Sequence, residues 1–237
     1  ANFAVILKKK ALAAGKNFEI WLLDHNFSMY ERVIWQYENF PQLLQSANAA
    51  AFHYYVGGAD CVEKIREKFP SVKFHFTEGG PRLNYNYSTD HVKWAASIAD
   101  ALEHGCKTYT GWNLLLDEHG GPNVGPFDCG GLVTKNMQSG EYSFSGQYRA
   151  FEHFSKAVKV GASVLRCEVS GENRGFYDYP EMTKLIKAFA VKNENGEVVL
   201  IVINPDKKSR RQIFITYADE KIYLEVAPDS VNTIIMV

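Results

Sequence analysis

The sequence is poor in the features that place a protein quickly. It has only four cysteines in 237 residues (Cys61, Cys106, Cys129 and Cys167), with no C-x-x-C pair and no zinc-finger spacing. Isolated thiols of this kind read as buried side chains rather than a disulfide framework or a metal site. No apolar run approaches the roughly 20 residues that a membrane span needs. Charge of one sign is also missing: 26 Lys+Arg stand against 27 Asp+Glu, a formal net charge of −1. That balance removes the electrostatic case for nucleic acid or an anionic membrane as main partner. There is no phosphate-binding glycine loop, no G-x-S-x-G and no metal-ligand pair at i, i+4 spacing, so neither a metal nor a cofactor is called for. Internal repeats and low-complexity tracts are absent as well. The N-terminus does not read as a signal peptide, because Lys8, Lys9 and Lys10 are followed by a short apolar stretch interrupted by Lys16.

What the sequence does have is aromatic residues, 14% of the chain, within an ordinary globular balance of 46% hydrophobic and 22% charged. Such a supply suits a large core or a site that stacks on flat ligands such as sugar rings. The first two-thirds alternate short apolar strands with helical patterns. Ala1 to Ala14 reads as an amphipathic helix with Phe3, Ile6, Leu7 and the stem of Lys10 on one face, so the chain is expected to begin inside a structural element. Strands are predicted at Phe18–Asp24, Ala50–Tyr55, Val72–Glu78 and Lys107–Asn113. Helices fall between them, around Tyr30–Tyr37, Gln42–Asn48, Asp60–Lys68 (ended by Pro70) and Thr89–His104, with Gly105 as a C-cap signal. Repeated βα units imply parallel strands joined by helical crossovers.

From about Val158 the pattern becomes all-β. Short runs at Ala162–Val169, Lys187–Lys192, Val198–Asn204, Gln212–Tyr217, Lys221–Val226 and Thr233–Val237 are separated by turn signals such as Glu194-Asn-Gly196 and Asn204-Pro-Asp206. The fold class is α/β plus all-β, with an antiparallel β-sandwich as the second part. The basic group Lys207, Lys208, Arg210 and Arg211 sits at a hairpin turn, where solvated charge is the simplest reading.

In parallel α/β barrels, functional residues gather at the C-terminal ends of strands. Those ends are Asp24-His25-Asn26, His53-Tyr54-Tyr55, Thr77-Glu78-Gly79-Gly80 and Trp112-Asn113. Each alone has a bland reading: Asp24 and Asn26 as helix caps, His53 as a hydrogen-bonded core imidazole. Together they describe a polar, aromatic-lined pocket for a neutral, hydroxyl-rich ligand. Glu78 is the sharpest candidate, since it ends an apolar strand and two glycines follow it. A carboxylate there serves as nucleophile, general base or metal ligand, and His25 with Glu78 is a thin set for a metal. The glycine-rich segment Leu114–Gly131 reads as a loop lining the pocket mouth, and the adjacent Asp117, Glu118 and His119 cannot easily face one ion.

These pieces resemble glycoside hydrolase family 30, the β-glucosylceramidases, endo-β-1,6-glucanases and glucuronoxylanases. The resemblance rests on Leu23-Asp24-His25-Asn26, His53-Tyr54-Tyr55, Phe76-Thr77-Glu78-Gly79, Thr110-Gly111-Trp112-Asn113-Leu114, Gly120-Gly121-Pro122-Asn123 and His153-Phe154-Ser155-Lys156, in that order. It implies a (β/α)8 TIM barrel joined to a β-sandwich and retaining hydrolysis of β-linked sugars, with Glu78 as nucleophile. It further implies that Trp112 floors the sugar site, that Tyr54 or Tyr55 stands near Glu78, and that His25, Asn113 and Asn123 line the pocket. The four strands then match barrel strands 5–8. Residues 1–157 become the C-terminal half of the barrel and 158–237 the sandwich. The acid/base Asn-Glu-Pro of the family does not occur here, so the chain alone is expected to be nearly inactive. It is also expected to expose an apolar open edge, met by an N-terminal half-barrel chain or by self-association. A non-catalytic carbohydrate-binding or scaffold module is the alternative. Relatives of this kind are often secreted or lysosomal.

Overall fold

The computed structural model describes residues 1–123, 127–170, 177–178, 181–182, 186–218 and 220–236. The chain divides into two compact units, residues 1–79 with 100–112 and residues 80–99 with 113–237.

The first unit opens with helix α1 (Asn2–Ala13), then strand β1 (Leu22–Asn26), helices α2 (Tyr30–Asn39) and α3 (Leu43–Ser46) and strand β2 (Ala49–His53). Helix α4 (Val62–Lys68) leads to strand β3 (Lys73–Glu78), and helix α5 (His91–Glu103), shared between the units, leads to strand β4 (Cys106–Tyr109). The four strands form one parallel sheet in the order β1-β2-β3-β4. Sequential order in a parallel sheet follows from the βα crossovers that the sequence pattern predicts.

The two faces of this sheet differ. Phe74 and Phe76 of β3 and Phe52 of β2 are buried in one core with Val33 and Tyr37 of α2, Val62 and Ile65 of α4, and Cys106. Removing each such aromatic ring from water contributes roughly 1.5–3 kcal/mol. The alternate residues of β3 carry polar groups. Lys73 pairs with Glu19, the His75 ring stacks on Trp21 at 3.8 Å, and His75 Nδ1 lies 3.0 Å from Thr108 Oγ1. His75 is buried, and that burial holds its imidazole below the usual histidine range. Period-2 alternation therefore puts an aromatic core on one side of the sheet and a polar layer on the other.

Three local expectations change. Helix α1 buries Ala4 and Ala11, whereas Phe3 and Ile6 are exposed, because the small alanine side chains allow close packing on the stripe between them. The first strand starts at Leu22 rather than Phe18 and runs past Asp24; Phe18 and Trp21 are substantially exposed. Its pairing shifts between Leu23 and His25, where Leu23 (φ 71°) and Asp24 (φ 52°) adopt left-handed backbone. The edge that β1 presents is thus bulged and polar in its second half, not the apolar edge expected from the sequence. Gly105 does end α5 as expected, with φ 87° and its N–H donating to Leu102 O at 2.9 Å.

In the second unit, β5 (Leu115–Asp117), β6 (Val133–Lys135) and β7 (Tyr142–Phe144) form a three-stranded sheet, so part of the segment read as a loop is a strand. Helix α6 (Gly146–Ala157) follows, capped by the Ser145 hydroxyl accepting from Tyr148 N–H. The remaining strands are β8 (Ser163–Leu165), the short pair β9 (Tyr177–Asp178) and β10 (Glu181–Met182), β11 (Lys187–Lys192), β12 (Val198–Asn204), β13 (Arg211–Tyr217), β14 (Glu220–Val226) and β15 (Ser230–Met236). An antiparallel sheet in the order β15-β12-β11-β8 faces the β13-β14 hairpin, and Leu200, Val202 and Ala190 pack with Ile213, Ile215 and Leu224. None of the four cysteines is disulfide-bonded; Cys61 and Cys106 are buried, and burial pushes both thiols up to about 12.

The turn between β12 and β13 is held by Asp206. Its Oδ1 accepts from the backbone N–H groups of Lys208 (2.9 Å) and Ser209 (3.2 Å), and Oδ2 accepts from Arg211 at 3.1 Å. The Lys208 N–H first, then the Ser209 groups, hold this carboxyl down at about 2. A folded-state value below the unfolded one stabilises above about pH 4 and is lost as pH falls through about 2. The Asp206→Asn variant should melt lower than the parent at pH 7, and its melting temperature should change less between about pH 4 and pH 2. Thermal scans by circular dichroism across that window check this.

Candidate active site

The C-terminal ends of β1, β2 and β3 bring three ionisable side chains together. Asp24 Oδ1 accepts from Thr77 Oγ1 at 2.8 Å and lies 3.0 Å from His53 Nε2. On the other side of the imidazole, His53 Nδ1 lies 3.8 Å from Glu78 Oε2. The His53 side chain is 13% exposed and Glu78 25%, so the carboxylate is partly sheltered yet open to a ligand. Burial raises the Asp24 carboxyl, but the hydrogen bonds from Thr77 and His53 outweigh it and hold the group below the usual carboxylate range. Asp24 is therefore ionised at neutral pH and is no proton donor. It does not cap the following helices, whose starts have no side-chain cap.

The backbone around Glu78 is fixed from both sides. Glu78 O accepts from Tyr54 N–H at 2.8 Å, and Gly79 O accepts from Trp112 N–H at 3.0 Å. A Cβ on Gly79 would stand 2.9 Å from Tyr54 Cβ and from Phe76 Cζ, so only glycine lets the chain leave β3 this closely packed. Trp112 is 38% exposed, which leaves much of its ring available.

Of the residues singled out by sequence, His25, Tyr54, Tyr55, Glu78 and Trp112 meet at this end of the sheet. The His25 and His53 rings are 5.8 Å apart, and Tyr55 meets His53 edge-on at 6.4 Å. Tyr54 is half-buried against the aromatic core. Asn113 and Asn123 belong to the second unit: Asn113 O accepts from Leu132 N–H at 2.8 Å, and Asn123 is exposed in the turn after Gly120. The sequence placed Asp24 and Thr77 at the strand ends that form the pocket but assigned neither an individual role. The available signal was an Asp ending one strand opposite a His ending the next. Asp117, Glu118 and His119 do not converge: Asp117 Oδ1 accepts from the backbone N–H of His119 and Gly121, and the His119 side chain is 84% exposed.

Residues 165–234 match the family model described as "Glycosyl hydrolase family 30 beta sandwich domain". An Endo-1,6-beta-D-glucanase of Neurospora crassa is 26% identical over 215 residues, covering 86% of this chain and 41% of that protein. The chain is thus similar to the C-terminal region of glycoside hydrolase family 30 proteins. A second relative in the same group, Endo-1,6-beta-D-glucanase BGN16.3 of Trichoderma harzianum, is 27% identical and covers 81% of this chain and 37% of its own length. Among solved structures, SrfJ from Salmonella typhimurium superposes with a TM-score of 0.83 at 22% identity, covering 97% of this chain and 50% of that one. These matches support a barrel-plus-sandwich architecture, and the chain spans less than half the length of the curated relatives it matches.

Proposed function

We propose that this chain, with residues 1–157 as barrel strands 5–8 and 158–237 as the sandwich, carries the nucleophile of a retaining β-glycosidase acting on β-linked glucan. The observation that carries this reading is the placement of Glu78, partly sheltered at the end of β3 beside His53 and the Trp112 backbone. The similarity to two endo-1,6-β-glucanases supports β-1,6-linked glucose as the substrate.

In the first step a Glu78 carboxylate oxygen bonds to the anomeric carbon while the glycosidic C–O bond breaks. The leaving oxygen takes a proton from a second carboxylic acid about 5–5.5 Å away. Water then attacks the same carbon, returns its proton to that acid's base form, and frees Glu78. Neither Asp24 nor Glu19 suits the acid. Asp24 is held ionised, and Glu19 is tied to Lys73 at the opposite end of β3. The acid comes from an N-terminal half-barrel, as a partner chain or as upstream sequence. Leaving-group protonation is worth about 10²–10⁴-fold, so the present residues alone should turn over slowly.

A 2-fluoro-β-glucoside with an activated leaving group tests the reading, because it needs no acid to form the covalent intermediate. In an enzyme completed by an N-terminal half-barrel, peptide mapping should find the sugar on Glu78. Sugar binding with no covalent adduct would make the chain a non-catalytic carbohydrate-binding or scaffold module.

A further inference from the structure

The loop that leaves the nucleophile strand has a feature that the reaction does not use. Arg82 forms backbone bridges with both Tyr85 and Cys129. The same two segments are tied by Leu83 N–H to Asp128 O and by Gly130 N–H to Pro81 O, each at 2.9 Å. On this pinned backbone stand two exposed aromatic side chains, Tyr85 (63% exposed) and Phe127 (60%). The Arg82 guanidinium lies 5.8 Å from the Phe127 ring centroid and 3.2 Å from Asp128 Oδ1.

We propose that Tyr85, Phe127 and the Arg82–Asp128 pair form a further sugar-binding site, one that takes glucosyl units of a glucan chain. Most of each ring's surface is open to solvent. A pyranose presents an apolar C–H face that covers such a ring and an equatorial rim of hydroxyls that needs donors and acceptors. Arg82 supplies donors and Asp128 acceptors. Because the two neutralise each other, the patch selects an uncharged sugar over an anionic one. The backbone ties mean that little ordering entropy is lost on binding. Tyr85 lies seven residues beyond Glu78 in the sequence, on the segment that begins where the nucleophile strand ends. The proposal rests on the glucanase reading of Glu78 and adds that the enzyme grips several units of a polymer.

Calorimetric titration of the full chain with β-1,6-linked gluco-oligosaccharides of two to six units tests it. Tyr85→Ala and Phe127→Ala should each weaken binding of the longest oligomers by about 5-fold, and the double variant by more, with the disaccharide unaffected. Their rings are exposed, so melting temperatures should match the parent. Saturation-transfer NMR on the unmodified chain should show contact between the long oligomers and tyrosine and phenylalanine ring protons that the double variant lacks. Equal binding of all lengths by parent and double variant overturns the further site, as does absence of oligosaccharide binding by the parent. Covalent labelling of Glu78 is read separately. Labelling with no length dependence sinks only the further site, and length-dependent binding without labelling sinks only the catalytic reading.

Discussion

Replacing Glu78 with Gln in an enzyme completed by an N-terminal half-barrel should lower turnover of a β-glucoside by about 10⁴-fold or more, the scale on which loss of a nucleophile falls in other hydrolases. The substitution keeps the shape and removes only the charge and the nucleophilic oxygen. The side chain is 25% exposed, and the tie from Tyr54 N–H to the Glu78 carbonyl belongs to the backbone, so the fold should survive. The loss should be as large for an aryl glucoside with a good leaving group as for a glucan. That distinguishes it from loss of the acid, which an activated leaving group relieves. Steady-state kinetics on both substrates, with a melting curve to confirm folding, measure the effect. A variant retaining a tenth of the parent's turnover would remove Glu78 from the nucleophile role.

Much of the sandwich was legible because its strands repeat a simple pattern. β11 and β12 run as expected, Lys187–Lys192 and Val198–Asn204, set by the turn at Asn193 to Gly196 and by a continuous apolar run that becomes the fully buried central strand. β3 was equally clear, since Phe74 and Phe76 alternate with polar residues and Glu78 ends the strand. β1 was harder to read. Its apolar run starts at Phe18, yet pairing begins at Leu22 and continues through Asp24-His25-Asn26 by way of left-handed backbone at Leu23 and Asp24. Propensity does not anticipate a strand whose second half is polar and bulged, because the positions are chosen for what they hold. The Asp24–His53–Glu78 arrangement depends on that bulge, which re-aims the Asp24 carboxylate toward its neighbours in β2 and β3. The face of α1 was misread for a related reason: hydrophobic size pointed to Phe3 and Ile6, whereas close packing selected Ala4 and Ala11.

Asp24 is therefore a position where a small change should have a large effect. Its Oδ1 takes the His53 Nε2 side of the imidazole and the Thr77 hydroxyl at once, so it sets which ring nitrogen faces Glu78. Asp24→Asn preserves side-chain shape and tolerates the left-handed φ of 52°, as Asn does more readily than most residues. It loses the charge that holds the imidazole, and its amide NH₂ offers His53 a donor where an acceptor stood. In the completed enzyme kcat should fall about 10–100-fold, the range for a displaced reacting group. Thr77→Val, which takes away only the second bond to the same oxygen, should cost less. A merely structural role for Asp24 would instead lower the melting temperature and leave the kcat of the folded fraction intact. A shift in the acid limb of the kcat profile in Asp24→Asn, absent in Thr77→Val, would show that Asp24 acts through the charge it places beside His53.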